Sequence, residues 1–403
     1  MTGTRASRSA QTPRAREGQL RINVTRGFED VAGLEQQWRQ FEGPALTANF
    51  EHFHTVIDSE PTMHEPVVLT VLRDDAPESM IVARVEDVTL AFKLGYRAVW
   101  RPSVRSLTVV YRGFLGHVDD EVSDRVVDEL TGMLEQGELE AVIFRRLSLD
   151  HPLYRAATTR PRYLMRQHYT RFVTCWERTL PSSFDLFLAS LSKSTRTSAK
   201  RYANKLERDY ASRLEVRKLS SPTHLDDYFR DAETVASKSY QRGLGVGVRD
   251  DPAHRFRAGL AAERGWFRAY ILYLDRAPVA FCGGESYAGR FYYGIPGYDP
   301  AFRDYRVGQL VLLRMIEDLC EDEEVQVVDF GPGDAEYKRR FGDRSWQEAD
   351  VHVFAPRLRP VAVNLGRTTI LRANDAMATA ARELRIFGRI KRAWRRRASS
   401  FPS

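Results

Sequence analysis

The stretch RVGQLVLLRMIEDLCEDEEVQVVDFGPG, residues 306–333, determines the fold predicted for the second half of the chain. Val307–Cys320 is predicted to form a helix that leads directly into a strand. That strand, Val325–Phe330, is a short apolar run of the kind found in sheet cores, and Gly331-Pro332-Gly333 ends it. A further helical turn is predicted at Glu336–Phe341.

A three-stranded antiparallel meander is predicted before this stretch. Its connections are short, a tight turn at Asp275–Pro278 and a second turn at Ala288-Gly289, which favours antiparallel pairing. Two helices are predicted before the meander, a basic one at Phe184–Tyr210 and another at His224–Tyr240. The predicted strands are Phe267–Leu274, Val279–Tyr287 and Arg290–Ile295.

The first half of the chain repeats the same order of helices, meander, loop, helix and strand. Its predicted strands are Leu20–Gly27, Pro66–Leu72, Met80–Phe92, Leu107–Leu115, Leu139–Leu147 and Tyr169–Trp176, with helices at Asp30–Phe41 and Val122–Gln136. The shared rhythm predicts an internal duplication of one α/β unit. The predicted division is a disordered leader at 1–19, two tandem units at 20–178 and 179–356, and a helical basic tail at 357–403.

The composition is that of a folded globular protein with a basic tail. Hydrophobic residues make up 43% and charged residues 29% of the 403 residues, which argues against intrinsic disorder. Arg382–Arg397 holds eight basic residues and one acidic residue, so this segment alone has the net charge of +7 found for the whole chain. Three cysteines, widely spaced in apolar runs, argue against disulfides and zinc and fit the reducing cytoplasm.

The basic tail also has an apolar face. Apolar residues recur there at three- and four-residue steps, which is typical of a helix that lies on an anionic membrane surface. Docking on the body of the protein and binding to nucleic acid are the alternatives. The residues of this face are Leu384, Phe387, Ile390 and Trp394.

The two halves differ in charge where the helix after the meander begins. A helix N-terminus offers free backbone N–H groups and a partial positive charge, so it binds phosphates. The first half places Asp119, Asp120, Glu121 and Asp124 there, and these would repel a diphosphate. The second half places Arg303, Arg306, Val307, Gly308 and Gln309 there, and they form the predicted cofactor-binding site. Alternatively, Gly308 only begins the helix and the arginines are solvated.

The second half resembles the GNAT acyltransferase fold, and within it the BioF-like or CelD-type acetyltransferase domain. The resemblance covers roughly Leu180–Phe341, and its last block is the most specific part. Arg306-Val307-Gly308 stands where that domain has Ser-Pro-Gly, so the glycine alone is kept. The matching segments are Leu188–Arg208, Tyr240-Gln241-Arg242-Gly243, Gly297-Tyr298-Asp299-Pro300, Asp329-Phe330-Gly331-Pro332-Gly333 and Tyr337-Lys338.

This resemblance implies an acyl-CoA donor, usually acetyl-CoA, and an amine or sugar hydroxyl as acceptor. Relatives are often linked to envelope or exopolysaccharide biosynthesis, and the Fem-type transferases share the doubled fold. The second unit would bind the thioester, and the first would help to shape the acceptor pocket. The alternatives are an aminoacyl-tRNA-dependent transferase of the Fem type and a non-catalytic module recruited to a membrane.

Acyl transfer from a thioester needs a positioned acceptor, a base and stabilisation of the oxyanion, and no covalent nucleophile. Asp329, at the carboxyl end of its strand, is the candidate base or orienting group. Alternatively, it caps the next turn or pairs with Lys338 or Arg339. Tyr337 is the candidate acid for the departing thiolate, or it only packs its ring.

Three further residues are candidates for the site. Tyr293 and its neighbour Tyr292 lie on opposite faces of a strand, so only one of them can face the cleft, and Tyr293 is the candidate. Lys338 would hold a phosphate or an acidic acceptor, or would form a surface ion pair. Arg242 would bind an anionic substrate, or would contact a helix C-terminus.

Other classes of function lack their motifs. The sequence contains no zinc-protease, serine-hydrolase or P-loop pattern. His52 and His54 would point to different sides of a helix, so no metal pair is expected. The basic helix at Phe184–Tyr210 includes Glu207 and Asp209, so it is interpreted as a solvated face rather than an RNA-binding surface.

Overall fold

The computed structural model describes residues 18–94, 97–239 and 247–383. The strands are β1 Leu20–Arg26, β2 Met63–Arg73, β3 Ala76–Thr89, β4 Phe92–Leu94, β5 Arg97–Trp100, β6 Ser103–Gly116, β7 Ala141–Ser148, β8 Phe172–Thr179, β9 Leu214–Leu219, β10 Phe267–Leu274, β11 Ala277–Tyr287, β12 Arg290–Tyr293, β13 Gly297–Tyr298, β14 Val327–Pro332 and β15 Arg344–Phe354. The helices are α1 Phe28–Ala32, α2 Glu35–Phe41, α3 Phe50–Ser59, α4 Asp120–Gln136, α5 Pro152–Thr159, α6 Phe184–Ser190, α7 Lys193–Tyr210, α8 Leu225–Lys238, α9 Pro252–Glu263, α10 Val307–Cys320, α11 Glu336–Phe341 and α12 Leu358–Glu383.

One large sheet joins both halves of the chain. Its strand order is β1-β2-β3-β6-β7-β15-β8-β14-β12-β11-β10-β9, with β13 paired to β11, while β4 and β5 form a separate hairpin. Followed inward from either edge of the sheet, the strands form the same structural unit. In each half an antiparallel set ends in a parallel pair, β6–β7 or β12–β14, and a helix, α4 or α10, connects the two strands. The predicted α/β fold with an internal duplication is therefore confirmed.

The two halves exchange their last strands at the centre of the sheet. The last strand of the first half, β8, pairs antiparallel with β14. The last strand of the second half, β15, pairs antiparallel with β7. Because β8 and β15 also pair with each other, the two halves share one continuous sheet.

Alternation along the strands divides the core between the two faces of this sheet. One face, called the α10 face here, carries α4 and α5 over the first half and α10 over the second, and buries Val126, Val311 and Phe330. The other, called the α3/α9 face, carries α3 and α12 over the first half and α8 and α9 over the second. Helices α3 and α9 contact each other across the two halves.

Local boundaries follow capping groups that the sequence patterns did not reveal. The basic helix predicted as one segment is broken into α6 and α7, because the side chain of Ser192 accepts the N–H of Thr195 and begins a new helix. The helix predicted at Val307–Cys320 is observed as α10 with the same ends. Beyond Glu383, the basic segment and its apolar face lie outside the described residues.

No helix within the described ranges has the length and apolar content to cross a membrane. The three cysteines Cys175, Cys282 and Cys320 are buried and free. Across the residues described by the structure, no cluster of histidine, cysteine and carboxylate side chains could hold a metal ion.

Candidate functional site

The N-terminus of α10 leaves backbone donors free. Arg306 adopts a left-handed conformation with φ of 55°, and no side chain caps the helix. The N–H groups of Gln309 and Leu310 both donate to the carbonyl of Arg306, at 2.8 and 3.2 Å. Those of Val307 and Gly308 have no acceptor within the described part of the chain. The first turn of α10 therefore presents the unpaired donors that an anion requires.

Cationic side chains surround this first turn. The guanidinium of Arg306 lies 5.7 Å from the ring centre of Tyr202 on α7, and the ammonium of Lys205, one turn further, lies 4.2 Å from the ring of Tyr305. The exposed Arg303 approaches Asp304 at 3.7 Å. Because Asp304 is also exposed, its attraction to Arg303 is weak. The basic helix thus adds positive charge to the predicted phosphate site.

The first turn also leaves space and polar groups for a ligand. A Cβ atom on Gly308 would meet the ring of Tyr298 at 3.5 Å, an ordinary contact, so the fold itself would accept a side chain there. The amide nitrogen Nε2 of Gln309 is buried and has no hydrogen-bond partner among the described residues. A buried amide without a partner costs stability unless a ligand or water satisfies it.

The parallel strands β12 and β14 separate beside this helix. Their last paired residues are Tyr292 and Asp329. Beyond this point Gly294 donates its N–H to Gly283 on β11 at 2.8 Å, while β14 continues along β8. The close approach at β11 requires glycine, because a Cβ on Gly284 would lie 2.0 Å from the carbonyl oxygen of Tyr292. The separation opens a gap between the two strands, at the end of β12 from which the chain leads to α10.

The gap has an aromatic lining on the α10 face. The rings of Tyr293 and Tyr337 lie 6.0 Å apart, and each packs edge-on against Phe330, at 5.7 and 6.1 Å. Burial raises the pKa of Tyr293 well above its usual value. Of the three, Tyr337 is the most exposed, being only partly buried. The structure therefore brings two of the predicted catalytic residues, Tyr293 and Tyr337, together.

Asp329 faces the opposite side of the sheet. Its Oδ1 accepts the N–H of Gly331 at 2.8 Å, so it caps the turn that follows its strand. Its Oδ2 is buried and lies 3.6 Å from Arg290 and 3.9 Å from Arg112. The ion pairs considered with Lys338 and Arg339 are not those observed.

Lys338 is buried below the turn rather than exposed to a ligand. Its ammonium donates to the carbonyls of Gly331 and Pro332 at 3.2 and 2.7 Å. Burial is the main cause that lowers its pKa below the usual 10.5. These contacts support a structural role, in which Lys338 holds the turn that ends β14.

Glu285, on β11, is a functional candidate that the sequence reasoning missed. It pairs across the strands with Tyr292, so it shares the α3/α9 face with Asp329. Burial raises the pKa of its carboxyl to about 7, against a smaller lowering by Arg257. No hydrogen bond or ion pair holds this carboxyl within the described residues. The only signal in the sequence was that Glu285 is the one charged residue of its strand.

A cavity of roughly 480 Å³ lies near the centre of the sheet on the α3/α9 face. It is bounded by α3, β3, β6, β7 and β15, so both halves of the chain contribute. Its lining residues are Thr47, His52, Phe53, Val56, Arg84, Val110, Tyr111, Arg145, Arg146 and Asp350. Sequence reasoning named none of these as substrate-binding, because they come from distant segments. The predicted substrate-binding residue Arg242 lies outside the described residues.

Comparisons with known proteins agree with this architecture. The family model described as "Acetyltransferase (GNAT) domain" matches residues 193–339. The fold resembles FemX, with 10% identity, coverage of 80% of this chain and 96% of FemX, and a TM-score of 0.54. It also resembles a tandem GNAT protein from the clavulanic acid biosynthesis pathway, with 12% identity, coverage of 84% and 100%, and a TM-score of 0.50.

At such low identities these structural likenesses concern the fold alone. No curated protein sequence matches the chain. The family match and the doubled sheet nevertheless agree, because the matched residues contain the gap between β12 and β14 and the N-terminus of α10. Residues 193–339 are therefore a GNAT-type acetyltransferase domain, and the tandem fold of the chain resembles that of FemX and of the tandem GNAT protein.

Proposed function

We propose that the protein transfers an acyl group, most simply acetyl, from acyl-CoA to an amine acceptor. The observation that supports this proposal best is the first turn of α10. Its free N–H groups, Arg306 and the cations of α7 fit a diphosphate in sign and position, and they lie beside the gap between β12 and β14. The thioester arm would enter that gap, and the acceptor would approach from the α3/α9 face.

We assign the proton transfers to groups on either side of the gap. Glu285 is the proposed base, because a carboxyl with a pKa of about 7 can accept a proton from an ammonium acceptor at neutral pH. Tyr337 is the proposed acid for the departing thiolate, and the buried Tyr293 positions it. Asp329 fixes Arg112 and Arg290 at the edge of the gap, so we assign it the orienting role rather than that of the base.

The wider setting of this reaction is also part of the proposal. We place the protein in the cytoplasm, where acyl-CoA is available, with the tail Arg382–Arg397 as its contact with the inner face of the membrane. The acceptor is a small amine or amino sugar, in keeping with envelope or exopolysaccharide biosynthesis. No metal takes part in the proposed mechanism, and the thioester supplies the activated acyl group.

Calorimetry with acetyl-CoA on the full chain tests the donor. We expect binding with a Kd below about 1 mM, and a loss of at least about tenfold in affinity for Gly308→Glu, because a carboxylate in the first turn repels the diphosphate. Gly132→Glu on α4 is the matched control, since a side chain at that helical glycine would meet nothing within 4 Å. Unchanged affinity in Gly308→Glu would show that the site is misplaced.

The fold related to FemX and the basic helix α7 support a second candidate, a transferase that uses aminoacyl-tRNA. The cations of α7 would then contact RNA phosphates, and Gly308→Glu would weaken RNA binding instead. Absence of acetyl-CoA binding together with RNase-sensitive activity would favour this candidate. Absence of both binding and activity would favour the non-catalytic module.

A further inference from the structure

We infer that the cavity on the α3/α9 face binds an anionic group of the acceptor, a carboxylate or a phosphate, with Arg146 as its counter-ion. This inference rests on the proposed function where it calls the ligand an acceptor. The anion site itself depends only on the side chains that line the cavity. The inference restricts the class of acceptors from amines in general to small amines that carry a negative charge.

The cavity has more cations than carboxylates. Three guanidinium groups line it, those of Arg84, Arg145 and Arg146, against the single carboxylate of Asp350. Two of these arginines are already paired. Arg84 lies 2.9 Å from Glu86, and Arg145 lies 3.3 Å from Glu86 and 3.4 Å from Asp350. The remaining positive charge in the lining is that of Arg146.

Arg146 is held in place by contacts that leave its charge uncompensated. Its backbone is left-handed, with φ of 48°, and its N–H donates to Asp350 Oδ1 at 2.9 Å. Its guanidinium lies 3.6 Å above the ring centre of Tyr111. No carboxylate pairs with this guanidinium among the described residues. A half-buried cation that is stacked, fixed and unpaired is a ready counter-ion for a ligand.

Neutral polar groups complete the lining. Burial, assisted by Arg257 and Arg84, lowers the pKa of His52 to about 4, so the imidazole is uncharged at neutral pH and can donate one hydrogen bond. Thr47 lies beside it and donates its hydroxyl to the carbonyl of Tyr111. A volume of roughly 480 Å³ suits a small molecule rather than a polymer.

Tyr111 connects the cavity to the gap in the sheet. Its hydroxyl accepts from Arg112 Nε at 3.1 Å, and Arg112 Nη2 lies 3.9 Å from Asp329 Oδ2. An anion on Arg146 is therefore separated from the edge of the gap by little more than one tyrosine side chain. An acceptor of a few bonds' length could place its anion on Arg146 and its amine at the proposed thioester position.

A binding experiment tests the anion site without turnover. We measure the melting temperature of the full chain with increasing concentrations of succinate or of inorganic phosphate. Comparing the two titrations shows whether the site prefers a carboxylate or a phosphate. We expect a saturable rise in the melting temperature, lost in Arg146→Gln and kept in Gly308→Glu, whose α10 site is blocked. Asp350→Asn retains an oxygen for the N–H of Arg146 but removes the negative charge, so it should increase the rise.

A kinetic experiment tests the acceptor class. With acetyl-CoA as donor, β-alanine is compared with β-alaninamide, and phosphoethanolamine with ethanolamine. We expect kcat/KM to be about tenfold or more higher for the anionic member of at least one pair, and Arg146→Gln to remove that preference, because a charge-assisted contact is worth about 1.5–3 kcal/mol. Arg155→Gln, which removes an exposed arginine paired with Asp120, is the control.

The outcomes separate this inference from the proposed function. The anion site is overturned if neither anion raises the melting temperature, or if the rise is the same in Arg146→Gln as in the unmodified chain. Either result holds whether or not acetyl-CoA binds. A rise that depends on Arg146 without any binding of acetyl-CoA supports the site and removes the acyl-CoA donor. If Arg146→Gln does not fold, Asp350→Asn decides, since weaker anion binding there contradicts the inference.

Discussion

Replacing Glu285 with glutamine removes the proposed base while keeping the shape of the side chain. Glu285 is partly buried on β11 beside Tyr292, and burial raises its pKa from the usual 4.5 to about 7. Glutamine cannot accept a proton from the acceptor. We therefore expect kcat to fall by about 10²–10⁴, the usual contribution of a positioned base, with little change in acetyl-CoA affinity.

The same substitution has a consequence for folding that is independent of catalysis. Between pH 4.5 and about 7 the folded chain keeps this proton and the unfolded chain does not, so the free energy of unfolding falls as pH rises through that window. The rise in pKa corresponds to as much as roughly 3 kcal/mol. Glu285→Gln should lose this pH dependence and become the more stable protein above pH 7.

Urea denaturation between pH 4.5 and 8 measures the effect on the free energy of unfolding. The pH dependence of kcat/KM over the same range measures the effect on catalysis. For the unmodified chain kcat/KM should rise with pH and level off above about 7. Glu323→Gln, at an exposed position, is the matched control and should change neither profile. Parallel stability profiles for the unmodified chain and Glu285→Gln, or an unchanged kcat, would refute the role given to this residue.

Two further predictions concern the turn and the strand that shape the gap. Gly284→Ala should destabilise the fold by several kcal/mol in urea denaturation, because its Cβ would lie 2.0 Å from a backbone oxygen. The control is Gly259→Ala on α9, where a Cβ would meet nothing within 4 Å. This control should be neutral or stabilising by about 1 kcal/mol. Lys338→Met should lower stability by about 1–3 kcal/mol and leave acetyl-CoA affinity unchanged, since its ammonium holds two buried carbonyls; weaker binding at unchanged stability would instead indicate a phosphate contact.

The parts of the fold that depend on neighbouring residues could be predicted from the sequence. Helix α10 has the predicted ends, and the duplication was visible in the order of the elements. The exchange of β8 and β15 was not predicted. Strand pairing between segments more than 160 residues apart, such as Cys175 with Trp346, depends on how the two sheets meet and leaves no local pattern.

The candidate site likewise contains residues that could be proposed from the sequence and residues that could not. The first turn of α10 could be proposed as a cofactor site because its charge and glycine are consecutive in the sequence. Glu285 and Arg146 could not be proposed from the sequence, because the first is a candidate through its burial and the second through lacking a carboxylate partner among the described residues. The structural contacts of Lys338 could not be predicted for a related reason, since the sequence shows its charge but not the two carbonyls to which it donates.

The two equivalent helices, α4 and α10, differ in how their N-termini are capped. At the start of α4, Asp119 accepts the N–H of Val122 at 2.9 Å, so the first half caps this helix with its own side chain. The carboxylate of Glu121 lies 2.9 Å from Arg73, which closes the same turn further. At α10 no side chain caps the helix, and Arg306 at the N-cap position has a left-handed backbone conformation. The duplicated unit therefore caps one helix N-terminus with its own side chain and leaves the other without a side-chain cap, which is the difference on which the proposed anion site at α10 depends.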